Sequence, residues 1–502
     1  MKGFYLNCKK DKALEFVNKI ECAYRIDDLP QQFGVNGFVI NDPFEWKESP
    51  IYQNDERNIF CACYGWIIYK NKKNNISEFA NDFSENRLMA LKEISGGLFI
   101  IVLKSCNELH IINDPFGTSN HYYRKENDIF EIAPSPYFLG GEKKISKTAN
   151  SIMRKLGHLF GDMTLFVDIK RINPASIFNQ NHFESYYLPE IRSFNPEKVV
   201  ETINHLVNFW NYDSRGLALS GGLDSRLILA CSKFKNGYTF GPEKSGDRSV
   251  AAIFRNEFEN YYGFSILNLK YYKKDIQTVK DIFTGLCPTP ISALFPIYRH
   301  VRNHFGDNAY VAFDGYLGDV LQRGSLLNIN KGILGYFLKA FPSFTFKISV
   351  EKILKERYKS FDENEFDILL KDFRKRTKNL LTDDYHKLLY YEFAFVRGRL
   401  AANGGIVMNS QFFTVVSPFT YIPLFENLFS ADLSKTLSFK TVQKIWKRVE
   451  KKYSTAPTQS IFSPASSPFL IRYQRLYSRL LSKLFHKKNI SYAGEIKKIE
   501  WL

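Results

Sequence analysis

The sequence predicts an α/β protein in two parts, a sheet-rich domain over residues 1–190 and a parallel-sheet domain over residues 195–465, followed by a basic helical tail at 466–502. Three observations predict it. Short apolar or alternating runs separated by turn clusters fill the first part. Leu217-Ala218-Leu219 tightens through Ser220-Gly221-Gly222 and resumes as the apolar-periodic Leu223–Leu229, which reads as strand, tight turn and helix. Two further strand-then-turn passages, Tyr238–Gly241 and Tyr310–Asp319, follow it. Strands alternating with helices argue a parallel sheet with ligands at the carboxyl ends of its strands.

In chain order, the first part offers strands at Phe4–Asn7, Gly37–Ile40, Ile59–Tyr69, Leu98–Leu103, Leu109–Asn113 and Ile129–Ile132, with helix between Ile76 and Ile94. Asn113-Asp114-Pro115-Phe116-Gly117 is turn chemistry. Residues 190–212 read as a linker and an entry helix, Glu197–Tyr212. Ser245-Gly246-Asp247 opens a helix running to about Phe258. Further helices are predicted at Val350–Lys359, Asn364–Lys378 and Asp383–Phe395.

The chemistry concentrates in two turns. Gly221 and Gly222 lack a Cβ, so left-handed backbone is expected there, with several N–H groups turned toward one small anion. The helix N-terminus just beyond adds its positive dipole end. Ser220 and Ser225 contribute hydroxyls, and Asp224 suits the Mg²⁺ that accompanies a phosphate. The second turn is Phe313-Asp314-Gly315-Tyr316-Leu317-Gly318-Asp319, which is expected to bring Asp319 to the sheet edge that carries Asp224. Alone, Asp319 reads as a helix cap. Paired with the first turn, it reads as the second carboxylate of a Mg²⁺ site.

Ser220-Gly221-Gly222-Leu223-Asp224-Ser225 resembles the pyrophosphate loop of ATP pyrophosphatases, and among them it looks most like the synthetase domain of the asparagine synthetase family. Arg226 follows where a Walker loop needs Lys-Ser/Thr, which favours cleavage between the α- and β-phosphates. Gly97-Leu98-Phe99, Asn113–Gly117 and Tyr122-Tyr123, then Thr164-Leu165-Phe166, Ile169–Ser176 and Tyr186–Pro189, are similar to the amidotransferase domain that precedes that synthetase domain. The resemblance implies an N-terminal-nucleophile type, amidotransferase-like sheet domain followed by a pyrophosphate-loop ATP pyrophosphatase domain, with ATP and Mg²⁺ as cofactors. It implies ATP binding by Leu219, Ser220, Gly221, Gly222, Asp224, Ser225, Phe240, Asp314 and Gly315, metal binding by Asp224 and Asp319, and a catalytic role for Tyr316. Ordinary core packing accounts equally for Leu219 and Phe240.

The chain departs from the family's pattern at named positions. Residue 2 is Lys2, where glutamine-using members carry a nucleophilic Cys; Cys8 falls beyond the strand end, so glutamine hydrolysis is not expected. In this respect the chain looks like the β-lactam synthetases, carbapenam synthetases and lasso-peptide cyclases. Tyr316 stands where asparagine synthetases have Glu, and in the β-lactam branch that Tyr works with a Glu. The corresponding stretch, Arg397–Asn403, has no carboxylate, and Glu392 is the nearest. Thr420-Tyr421 replace an expected Asp. The loop Tyr453–Phe462 has no lysine, leaving Lys451, Lys452, Arg397 and Arg399 as substitute cations.

Read this way, the protein is an ATP-dependent amide-bond-forming ligase. It adenylates a small-molecule, peptide or glycan carboxylate with release of AMP and pyrophosphate, and passes the acyl group to an amine without glutamine hydrolysis. The alternative is a catalytically degenerate, nucleotide-responsive binding or assembly protein. A nucleic-acid-modifying ATP pyrophosphatase draws on the basic charge, but those enzymes lack an amidotransferase-like first domain, and no specific nucleic acid is expected.

Composition agrees with a soluble protein of two or three domains: 502 residues, 44% hydrophobic and 24% charged. Of the net +17, +11 falls in residues 431–502, where 15 Lys and Arg meet 4 Asp and Glu. The segment Leu470–Asn489 reads as a basic amphipathic helix, which either packs on its own domain or makes a weak contact with a membrane surface or an anionic carrier. Seven scattered cysteines without Cys-x-x-Cys spacing, no signal peptide and no apolar run of 18 lead to the expectation of a cytoplasmic protein.

Overall fold

The alternating runs of the first part form two antiparallel sheets, one of six strands and one of seven. A computed structural model describes every residue except 47, 127–128, 180–181, 270–271, 284–292, 328, 330–334, 336, 339–340, 461 and 485–502. The six-stranded sheet places Gly3–Leu6 between Gly37–Asn41 and Ile129–Ala133. The seven-stranded sheet is centred on Ile59–Tyr69 and Ile94–Ser105, which pair over ten positions. Both strands are buried on two faces, which is why they read as near-continuous apolar runs. The helix Ile76–Glu85 covers this sheet with Phe79, Ala80 and Phe83 in its core. The helix expected up to Ile94 breaks at Asn86, where φ is −150°; Asn86 caps a second helix, Arg87–Lys92, by accepting from the Met89 amide.

The Asn113–Gly117 passage is a turn held by a buried carboxylate. Asp114 accepts from the amides of Phe116, Thr118 and Ser119 at 2.8–3.1 Å. Fully buried Arg171, from the second passage, donates to Asn120 Oδ1 at 3.1 Å and to the Gly117 carbonyl. These two stretches brace each other, so their residue types serve the fold.

The chain divides into two compact units that are not contiguous. The first comprises Met1–Leu188, Tyr271–Arg299 and Ala394–Val416; the second comprises Pro189–Lys270, His300–Phe393 and Ser417–Leu502. A boundary falls near residue 190, and Tyr271–Arg299 and Ala394–Val416 belong with the first unit.

The second unit holds four strands of a five-stranded sheet, in the order Asn260–Phe264, Asn236–Phe240, Arg215–Ala218, Val311–Phe313. All three pairings are parallel. Helices at Pro196–Val207, Val350–Arg357, Glu363–Thr377 and Asp384–Tyr391 follow the expected apolar spacing. The last of these continues as a π-helical turn, Glu392–Arg397. The helix from Gly246 ends at Ala251 and tightens into a 3₁₀ segment, Ala252–Glu257. Among the described residues, no helix is long and apolar enough to cross a membrane.

Candidate functional site

The parallel sheet fixes where a site can form. From the central strand Arg215–Ala218 the chain moves outward to Asn236–Phe240 and Asn260–Phe264, then returns to the opposite side of the centre as Val311–Phe313. Strand order therefore reverses between Arg215–Ala218 and Val311–Phe313, which pair as Arg215 with Val311 and Leu217 with Phe313. A crevice opens at the carboxyl ends of strands at such a point. The loops that leave these two strands are 219–223 and 314–317, the two turns singled out by the sequence.

The second loop lies hard against the first. A Cβ on Gly315 would stand 2.8 Å from the Ser225 amide nitrogen and 2.9 Å from Asp224 Cβ. One on Gly318 would stand 2.6 Å from the Phe419 ring and 2.7 Å from Asp224 Cγ. Glycine at both positions is what allows the approach. Leu317 takes the left-handed backbone of this loop, φ 68°, and Ser417 Oγ donates to the Tyr316 carbonyl at 2.9 Å.

The first loop differs from expectation in two respects. Neither Gly221 nor Gly222 has positive φ. Gly221 is needed for close approach instead, since a Cβ there would meet the Gly246 carbonyl oxygen at 2.9 Å, whereas at Gly222 the nearest atom is the Ser220 hydroxyl at 3.3 Å. The loop amides are also already engaged. Ser220 N donates to Ser225 Oγ at 3.0 Å, Gly222 N to Ser220 Oγ at 3.2 Å, and Gly221 N to Asp247 Oδ1 at 2.9 Å. Gln459 N closes the other side on the Gly221 carbonyl at 3.0 Å. Gly221→Ala should therefore cost about 1–3 kcal/mol by overpacking, and Gly222→Ala under about 1 kcal/mol; denaturant melts of the two variants check the difference.

Three carboxylates gather at the crevice. Asp224, in the first turn of the helix Asp224–Cys231, accepts from Gln322 Nε2 at 2.7 Å and Arg323 Nη2 at 3.1 Å. Burial pushes its carboxyl up to about 6; the Arg323 guanidinium opposes the shift, and nearby Asp319 adds to it. Asp319 accepts from Ser325 Oγ at 2.9 Å. Asp314 is pushed up to about 7 by burial, against hydrogen bonds from the Gly315 amide and the Tyr316 hydroxyl, with the Asp224 charge adding to the rise. Tyr316 thus finds a carboxylate partner two residues upstream. The sequence reading sought that partner near Glu392.

Glu392 is committed elsewhere: it is buried, accepts from Tyr358 Oη at 3.1 Å and pairs with Arg357. Arg399, in the first unit, is fully buried and donates to the carbonyls of Phe160, Gly161 and Met163. Lys452 pairs with Glu257 at 2.9 Å. Arg226 turns away from the loop and donates to the Ala456 and Pro457 carbonyls, 2.8 Å each. The cation beside the carboxylates is Arg323, which sequence reasoning missed. Its spacing from Asp319, i+4 across the helix Gly318–Arg323, was the available signal. Asp247, at the loop amide, was read only as part of a helix start.

Leu219 is buried and continues the sheet by donating to the Tyr238 carbonyl at 2.9 Å. Phe240 ends the next strand, half-buried, its ring 6.2 Å from that of Phe264. Both stand at the carboxyl edge. No protein-family model matches the chain, and no curated protein matches it either.

Proposed function

We propose that the chain is an ATP-dependent ligase of asparagine synthase type, which adenylates a carboxylate and transfers the acyl group to an amine without using glutamine. One observation carries this reading: the Ser220–Ser225 loop and the Asp314–Asp319 loop meet at the point where strand order reverses, with Asp224 and Asp319 in electrostatic contact.

The residues present fit Mg²⁺. Two carboxylates, Asp224 and Asp319, lie close enough there to interact electrostatically. Such a donor set suits a cation that takes its remaining oxygens from phosphates and water. Asp224 and Asp319 would hold the ion, which would neutralise charge on the triphosphate. Ser220, Ser225 and the loop amides would bind phosphate oxygens after exchanging their present partners, and Leu219 and Phe240 would border the base. Tyr316, hydrogen-bonded to Asp314, is the group placed to accept a proton from the amine. Arg323 is the cation placed to face developing negative charge.

Asp224→Ala should weaken Mg-ATP binding by on the order of tenfold or more, about 1.5–3 kcal/mol, as read by titration calorimetry. Equal affinities in the two proteins would refute the reading. The pH dependence has a definite sign. The Asp224 and Asp314 carboxyls lie above their unfolded values, so without a bound cation the fold loses stability as pH rises from about 4 through about 6 and about 7. Cation binding favours the ionised forms, so Mg-ATP affinity should climb across the same window.

A second reading, a nucleotide-responsive protein without catalysis, draws on the loop Tyr453–Phe462, which has no lysine, and on Lys452 being tied to Glu257. Exchange of labelled pyrophosphate into ATP with a pool of carboxylates separates the two, since only the ligase supports it.

A further inference from the structure

The C-terminal helix Pro468–Leu484 buries one face and leaves the other apolar. Ile471 is fully buried, and one turn on, the Arg475 guanidinium stands 4.8 Å over the Phe439 ring, which seats the helix on its own unit. The outward stripe should then be polar. It carries instead Phe469, Tyr473 and Tyr477 at i, i+4 and i+8, with Leu470 beside them, at 73, 59, 53 and 41% exposure. The Tyr473 and Tyr477 rings lie parallel, 6.2 Å apart. A stripe of three rings on water is a cost that a helix free to choose its surface residues avoids.

Two other observations accompany it. From Pro468 to Gly494 the sequence has six Arg and Lys residues and no Asp or Glu. A second exposed aromatic cluster, Phe337, Phe341 and Phe344, has ring separations of 5.2–6.3 Å, and Lys347 Nζ stands 4.8 Å from the Phe344 ring. The segment bearing Phe344, Pro342–Lys347, packs on the helix Leu433–Leu437, which leads directly into Phe439 beneath Arg475. Both exposed clusters therefore rest on one supporting segment.

We propose that this helix is a docking element for an anionic lipid surface, with Phe469, Tyr473 and Tyr477 entering the headgroup layer and the net positive charge of the segment drawing it to lipid phosphates. Aromatic rings are at home at the membrane–water boundary, and a sequence segment with six cations and no acid adds attraction to acidic lipid. The geometry favours lipid over a nucleic-acid strand. A strand is held in a groove whose walls stack on its bases, whereas these rings stand on the convex side of a helix, a shape that lies on a plane.

The test is sedimentation of the full chain with vesicles of neutral phosphatidylcholine and with vesicles in which about a third is phosphatidylglycerol. Binding should be at least tenfold tighter to the acidic vesicles and should weaken as salt is raised. Phe469→Ser/Tyr473→Ser/Tyr477→Ser should lower it by on the order of tenfold, while the melting temperature stays near that of the parent because all three side chains are exposed; Phe469→Ser alone gives a milder version of the same loss. Equal binding to both vesicle types, or full retention by the triple variant, would overturn the proposal. So would binding to a single-stranded oligonucleotide without binding to vesicles, which would assign the helix to a polyanion.

Discussion

Asp42→Ala should destabilise the protein by about 3–5 kcal/mol, the expected cost of removing one partner from a buried ion pair. Lys2 Nζ lies 2.8 Å from Asp42 Oδ2, with the two side chains 2% and 6% exposed. The Lys2 backbone amide is fixed as well, donating to Gln411 Oε1 at 2.8 Å. Without Asp42 the Lys2 head group is left enclosed without that ion pair. Replacing both partners, as Lys2→Met/Asp42→Leu, should recover most of the loss, because two apolar groups of similar volume need no compensation. Denaturant unfolding of the two single variants and the double variant measures the coupling directly. The same geometry gives the residue at position 2 a structural task. Burial pushes the Cys8 thiol up to about 12, and it donates to the Leu6 and Ile132 carbonyls.

Tyr316→Phe should separate the two halves of the proposed reaction. The ring and its packing remain, and the carbonyl contact with Ser417 is main-chain, so folding should change little. Pyrophosphate exchange, which draws on the loop and the carboxylates, should persist. Amide formation should slow by on the order of 10²-fold if the phenol is the general base. Asp314→Asn keeps the shape of the phenol's partner and removes its charge, so it should produce the same selective loss and shift the pH profile of amide formation. Parallel loss of exchange and amide formation in Tyr316→Phe would instead assign the residue to nucleotide binding.

The meeting of the two loops was legible because each follows an apolar strand and contains glycines, and a parallel sheet delivers all such loops to one edge. The physical role of the glycines was not legible. Close approach at Gly221, Gly315 and Gly318 depends on which segments arrive opposite them, and no local pattern states that. The strand Asn260–Phe264 escaped notice because Asn260-Tyr261-Tyr262-Gly263-Phe264 has neither alternation nor an unbroken apolar run. The partner of Tyr316 was sought at a distance in sequence because the resemblance pointed there, while Asp314 stood two residues away. Arg323 was passed over since its meaning depends on Asp224, about a hundred residues earlier. The composition of the first unit was hidden for a similar reason: only tertiary pairing reveals that Ala394–Val416 belongs to it.

That pairing also sets a schedule for synthesis. Trp66 donates to the Val415 carbonyl at 2.9 Å, Tyr122 Oη to Asn403 Oδ1 at 3.1 Å, and Arg399 Nη1 to the Phe160 carbonyl at 2.7 Å. These bonds wait for residues 399, 403 and 415 to be made, by which point most of the second unit's chain has already been synthesised. A fragment ending at residue 190 would lose the bonds from Trp66 to Val415, from Tyr122 to Asn403 and from Arg399 to the Phe160, Gly161 and Met163 carbonyls. The amino-terminal half of this protein is thus finished by its carboxyl-terminal half, and truncation is the wrong way to isolate it.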